Sequence, residues 1–305
     1  MSETAIASPA SQNKWRLDNP LVAAGCVMLG VIVFASQDTL SKILVVDYSP
    51  LQIAWVRYGI NTLVLVPFLI RSRGAGLKTK MPWTQFARSM GVFSSAIIFM
   101  LGLRFLPVAD ATAINFISPL LVTALSIPIL GEKVGIRRWT AVVIGFIGML
   151  IIVQPGSAAF QVAAFLPALS ATCWGIALVL TRKLSAAAES SLTTITYSTI
   201  LPALILSVLL PFVWRPLTGH AIIWMTVIGF ISVAGQYLMI LGFSKRPASS
   251  LAPFSYAQLI WATMYGYLVF GAIPSLLTWI GAAVVVLSGL YVLRRERIVK
   301  AAAAA

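Results

Sequence analysis

Residues 113–156 read AINFISPLLVTALSIPILGEKVGIRRWTAVVIGFIGMLIIVQPG. Two continuous apolar runs flank a short turn that carries Glu132, Lys133, Arg137 and Arg138. Each run is close to the length, roughly 20 residues, that a helix needs to cross the hydrocarbon of a bilayer. The runs do not alternate polar with apolar, so they do not read as strands of a membrane barrel. A turn this short forces the two helices to pack antiparallel. The stretch therefore reads as a helical hairpin through a membrane.

The same pattern extends in both directions. Apolar runs broken by charge, Pro or Gly give ten segments, at 20–44, 50–70, 83–105, 108–131, 137–154, 162–183, 190–213, 220–243, 248–271 and 274–293. Composition agrees: 59% of the 305 residues are hydrophobic and 10% are charged, too few to clothe a soluble core. The net charge of +14 does not point to nucleic acid, because Lys and Arg sit in short clusters between apolar runs. With the N-terminus in the cytoplasm, eighteen basic residues fall on that side, against Lys42, Arg104 and Arg215 opposite and Arg57 within a span. Both termini are then cytoplasmic. Cys26 and Cys173 lie in apolar runs, as small buried hydrophobes do, and one histidine, His220, offers no metal cluster.

A shift of 140 residues lays the chain over itself. Leu40 falls on Leu180, Leu101-Gly102 on Leu241-Gly242, Pro107 on Pro247, Thr123 on Thr263, Gly131 on Gly271 and Trp139 on Trp279. The repeat unit holds five spans, an odd number, so the second copy must enter the membrane from the other face. The expected architecture is an all-α integral membrane protein of ten transmembrane helices in two inverted five-helix repeats. A flexible tail occupies 1–19, the first repeat 20–154, the second 155–295 and a C-terminal tail 296–305. The closing alanines, Ala301–Ala305, are set aside as an appended tract. Inverted repeats are the design of many secondary transporters, whose two halves can exchange roles.

The opening stretch also carries a resemblance. Its Pro in the fourth helix, the Gly131-Glu132 at the helix end, the basic turn and the Gly-rich fifth helix resemble the EamA-type signature of the drug/metabolite transporter superfamily. FGAIPSLLTWIGAAVVVLSG, residues 270–289, resembles the second copy, although Ala272 stands where Glu132 stands in the first. The likeness covers roughly residues 20–295 and is greatest to the YddG-type exporters of aromatic and other amino acids. It implies ten helices, a central cavity and export of small metabolites across the bacterial cytoplasmic (inner) membrane. Glu132, beside Lys133 and Arg137, suits helix-end electrostatics better than transport.

Candidate solute-binding residues are polar or aromatic side chains deep in spans. Asp38 is foremost, since a charge at mid-membrane costs about 2.5–3.5 kcal/mol and is kept for a reason. It either contacts the solute or pairs with Lys42 or Arg57. Asn115 and Ser118 precede the Pro119 break in the fourth span, and their repeat mates are Ser255 and Gln258 near Pro253. Ser94, Gln236 and Tyr237 lie in the middle of the third and eighth spans, where pathway lining and helix–helix glue are both open. Among deep aromatics, Phe34 is the mate of Trp174 and Phe116 of Tyr256, and Phe99 and Trp261 lie at similar depth. Such a set suits a planar, partly apolar solute. Trp83, Trp139, Trp214, Trp224 and Trp279 lie near segment ends, as interfacial anchors do.

No cofactor, metal or catalytic constellation is expected, and no phosphate-binding P-loop is present. An intramembrane enzyme would need a base, nucleophile or metal cluster that one edge histidine does not supply. Asp110, the other acid near a span, fits a helix N-cap. The remaining alternative is a channel or another non-carrier membrane protein. Partners are a small-molecule solute, an amino acid or related metabolite, and the lipid bilayer. Nothing in the sequence speaks to oligomeric state.

Overall fold

The computed structural model describes residues 20–131, 135–155, 161–245, 251 and 254–304. The tail expected over 1–19, Glu132, Lys133 and Pro253 lie outside them. All regular elements among the described residues are helical: α1 (Pro20–Leu44), α2 (Pro50–Arg71), α3 (Pro82–Leu103), α4 (Val108–Asn115), α5 (Ser118–Leu130), α6 (Ile136–Val153), α7 (Phe165–Ala186), α8 (Ser191–Val213), α9 (Gly219–Lys245), α10 (Gln258–Phe270) and α11 (Leu276–Ala304). Among the described residues, eight candidate membrane spans are long and apolar enough to cross a bilayer, one of them being α4 and α5 together. The apolar part of α11, Leu276–Val292, is shorter.

Local chemistry sets the helix starts. Ser49 accepts a hydrogen bond from Leu51 N (3.3 Å) ahead of Pro50, and Ser190 accepts one from Leu192 N (3.2 Å). Both are N-caps that satisfy an amide the helix itself cannot. In the fourth span and again at the end of α10, termination falls to a glycine in the left-handed region, Gly131 (φ 69°) and Gly271 (φ 64°).

Large apolar side chains cover the outside, among them Phe212 at 84% exposure and Leu63 at 71%. Such a surface is stable only against hydrocarbon. Trp83, Trp139, Trp214 and Trp279 are exposed near helix ends, as anchors should be, but Trp224 is not. It is half-buried in an apolar cluster and its indole N–H donates to His220 Nε2 (2.8 Å).

The most extensive helix interfaces follow the 140-residue repeat. α3 against α7 has its counterpart in α1 against α9, α5 against α7 in α1 against α10, and α2 against α9 in α3 against α8. The α2–α8 and α6–α11 interfaces map onto themselves. The correspondence reaches single residues. A Cβ added to Gly102 would stand 3.1 Å from Pro167, and one added to its mate Gly242 would stand 2.7 Å from Val27, the mate of Pro167. Small residues bring these helices to backbone contact. The self-mapping pairs run antiparallel: Gln52 bonds Arg215 while Trp55 bonds Ser207, and Gly145 faces Ser288 while Gly148 faces Gly281.

Candidate functional site

The fourth span is not one helix. It breaks at Phe116-Ile117, and the second half breaks at Tyr256-Ala257, the same two positions 140 residues on. In the first break Pro119 supplies no amide and disfavours helical backbone before it. The two breaks touch. The Phe116 and Tyr256 rings lie 5.0 Å apart at a 50° tilt. Since each is the repeat mate of the other, they meet on the line that relates the halves.

Polar groups gather at these breaks. Gln258, the first residue of α10, donates from Nε2 to Asp38 Oδ2 of α1 (3.2 Å). Asn115 Oδ1 and Tyr256 Oη are buried and have no hydrogen-bond partner. Ser118 is buried on the far side of the first break. A buried acceptor or hydroxyl left unpaired costs about 1–3 kcal/mol, so these groups are poised for an occupant that can bond them. Phe34 lies one turn before Asp38 and packs on Gly235 of α9.

Of the two pairings considered for Asp38, the one with Lys42 is not formed. Lys42 turns away from Asp38 and donates to the carbonyls of Leu103 (2.8 Å) and Leu106 (2.5 Å), with its ammonium 5.5 Å from the Phe270 ring centroid. It caps the C-terminal end of α3, where carbonyls lack helical partners and the dipole favours a cation. Arg57 is buried, stacks 4.9 Å from the Tyr58 ring centroid and is the positive charge that acts on Asp38. Asp110 is not the N-cap of the fourth span. Pro107 holds that position, and Asp110 sits in the first turn, where the dipole favours an acid, with Oδ1 buried and unpartnered.

Other candidates fall elsewhere. Gln236 and Tyr237 are exposed and line a cleft between α2, α8 and α9. Gln236 Nε2 donates weakly to Ser232 Oγ (3.3 Å). Ser94 is half-buried on α3, and its neighbour Ser95 is committed to Ser170 of α7 (3.0 Å). Phe99 packs on the largest apolar cluster, and Trp261 packs on Ala23, Val27 and Val31 of α1. Trp174 is exposed whereas its mate Phe34 is half-buried, so this pair occupies unlike surroundings.

Two polar features escaped the sequence reading. Asn61, in the cleft wall, is buried with Oδ1 unpartnered. It was legible as an amide in the middle of an apolar run. Arg88, one of the eighteen basic residues assigned to the cytoplasmic side and given no further role, lies within α3 and donates to Thr181 Oγ1 (3.1 Å), the Thr194 carbonyl (3.1 Å) and Ser198 Oγ. Nearby, Glu189 accepts from Lys80 N (2.7 Å), Thr79 Oγ1 (2.9 Å) and Gln85 Nε2 (3.4 Å). These donors, the Lys80 amide first, hold its carboxyl below the usual value of 4.5.

The model of the EamA-like transporter family matches this chain twice, over residues 21–154 and 161–294, with both ends of the match displaced by 140 residues. A riboflavin transporter of Rhizobium johnstonii is 28% identical over 97% of this chain and 96% of its own length. An S-adenosylmethionine uptake transporter of Rickettsia felis is 24% identical over 91% and 94%, respectively. A pseudopaline exporter of Pseudomonas aeruginosa is 26% identical over 88% and 95%. None of these names points specifically to YddG-type amino-acid exporters. A crystal structure with 18% identity superposes with a TM-score of 0.58 over 91% of this chain and 98% of that one, a likeness of fold.

Proposed function

The chain belongs to the EamA-like transporter family, and on that premise we propose that it carries small, planar, partly apolar metabolites by alternating access through a central cavity. It is a multi-pass transporter of the bacterial inner membrane, and not an enzyme. In the proposed arrangement ten spans form two inverted five-helix halves with both termini in the cytoplasm. The antiparallel packing of α2 on α8 and of α6 on α11 supports the inversion. Each is a helix against its own repeat mate, and only an axis perpendicular to both can exchange such a pair.

The observation that carries the reading is the duplicated helix break whose two copies meet through Phe116 and Tyr256. Broken helices free backbone groups at mid-membrane, and a two-fold line through them lets either face open onto one site. Around it Asp38, Asn115, Ser118, Tyr256 and Gln258 offer hydrogen bonds, while Phe34, Phe116 and Tyr256 offer ring faces. Trp174, Ser94, Phe99, Gln236, Tyr237 and Trp261 lie away from the breaks and are proposed to line the path leading to them.

Aromatic amino acids moving outward fit this chemistry. So do the fused rings of riboflavin and of the adenine in S-adenosylmethionine, the solutes named for two relatives. Counterflow in proteoliposomes tests the proposal with riboflavin, S-adenosylmethionine and tryptophan as labelled probes. A carrier gives saturable uptake accelerated by unlabelled solute on the far side for at least one probe. Flux without acceleration would mark a channel, and no exchange of any probe would mark a scaffold.

A further inference from the structure

The inference below rests on the carrier reading and concerns the cleft between α2, α8 and α9. Among its wall residues are Ile195, Val233, Tyr237 and Ile240. Subtracting the 140-residue repeat from these positions gives Trp55, Phe93, Ile97 and Met100. All belong to a single apolar cluster, packed with Ile53, Leu206, Met225 and Ile228. The cleft occupies the ends of α2 and α9 that lead to Arg71 and Lys245, and the cluster occupies the opposite ends of the same helices. One set of repeat mates thus stands apart while the other is shut.

Two halves that exchange conformations must close the first set as they open the second. We infer that Ile195, Val233, Tyr237 and Ile240 form the gate at the Arg71 end of the solute path. In the alternate state they pack against α2 at Leu63 and Val66, the repeat mates of Ala203 and Leu206, which their own mates now meet at the other end.

The chemistry of the two sets explains which state is seen. The closed set has Trp55 and Phe93 where the open set has Ile195 and Val233. Trp55 also donates to Ser207 Oγ (2.9 Å) and meets Trp214 edge-on at 6.4 Å, and Phe93 meets Tyr58 at 6.3 Å. Against these two rings the counterpart offers one, Tyr237 in the place of Ile97, so the inferred balance favours the state with the Arg71 end open.

Exchanging one aromatic between the plugs should move that equilibrium. The test uses the full chain carrying Cys26→Ser and Cys173→Ser in proteoliposomes, with one reporter, Gln236→Cys in the cleft or Ala96→Cys at its mate. A membrane-impermeant maleimide reads exposure. Adding Phe93→Val with Val233→Phe should slow labelling of the Gln236→Cys reporter about fivefold and speed that of the Ala96→Cys reporter by a similar factor. Phe93→Val alone should give a smaller change of the same sign, which keeps the test available if the exchange does not fold. Reporters that stay unchanged, or change in the same direction, in monodisperse protein would overturn the gate. Counterflow by the serine-substituted chain without reporters separates the two ideas. No exchange of riboflavin, S-adenosylmethionine or tryptophan would remove the carrier reading, whereas exchange without reciprocal labelling would remove the gate alone.

Discussion

Asp38 and Gln258 meet across 220 residues of chain. Keeping a carboxyl at that depth costs energy that one neutral amide and the more distant Arg57 do not obviously repay. The expectation follows that Asp38 meets the solute. Asp38→Asn keeps the shape and a hydrogen-bonding group but removes the charge, and should lower the counterflow rate at least about tenfold with an unchanged yield of folded protein. A rate equal to wild type would take Asp38 out of the mechanism. A second prediction concerns Tyr256, whose hydroxyl is seated over Gly289 of α11. Any Cβ at that position would run into Tyr256 Oη. Gly289→Ala should therefore destabilise the protein by about 1–3 kcal/mol through overpacking. Tyr256→Phe in the same background should recover most of that loss, because the hydroxyl it removes has no partner to lose. Thermal unfolding in detergent reads both variants, and a Gly289→Ala midpoint equal to wild type would contradict the seating. Trp174→Ala offers a third reading, a larger loss for aromatic than for small solutes, and equal losses would count against ring stacking.

At the scale of elements, most helices were legible because their ends carry local chemistry. α1 runs over the expected 20–44, and Ser49-Pro50, Pro82 and Ser190 mark starts that need no tertiary context. The broken helices were legible only in part. Pro119 flagged the first break, but the second falls at Tyr256-Ala257, after Pro253, and the residue matching Pro119 is Leu259. That break coincides with ring contact across the halves, which no local signal encodes. The fates of Lys42 and Arg88 were hidden for the same reason, since their acceptors lie in other helices. Glu189 ties the start of α8 to the segment before α3, and the sign of its pH effect follows from its lowered pKa. The bonds stabilise the fold above the ordinary carboxyl value of 4.5 and are lost as pH falls through the lower folded value. Glu189→Gln should thus lower the unfolding midpoint at neutral pH. The difference from wild type should shrink toward zero as the pH is taken well below 4.5. A gap that persists in acid would show that the carboxylate charge is not what the loop depends on.

For the whole molecule, the bilayer is the solvent that makes the sequence sensible. A surface rich in exposed Leu, Ile and Phe is stable only in hydrocarbon, while the buried interior mixes large apolar side chains such as Ile114, Ile117 and Leu120 with small and polar ones such as Ala111, Gln52 and Ser170. Direction then becomes the decisive property. α2 and α8 lie antiparallel as repeat mates, so the Arg71 end of α2 and the Trp214 end of α8 must face opposite sides. The basic residues assign the Arg71 side to the cytoplasm. In a chain with Cys26→Ser and Cys173→Ser, Ser72→Cys should react with an impermeant maleimide only in inside-out vesicles, and Thr218→Cys only in intact cells. Tags at the two chain ends should be reached from the same side as the Ser72→Cys reporter. The proposed five spans per repeat require this, because five crossings reverse the chain and ten restore it. Ends found on different faces would remove a span from the count. A parallel pair of halves has no reason to open alternately to both sides, so the exchange of gates would lose its physical basis with that result.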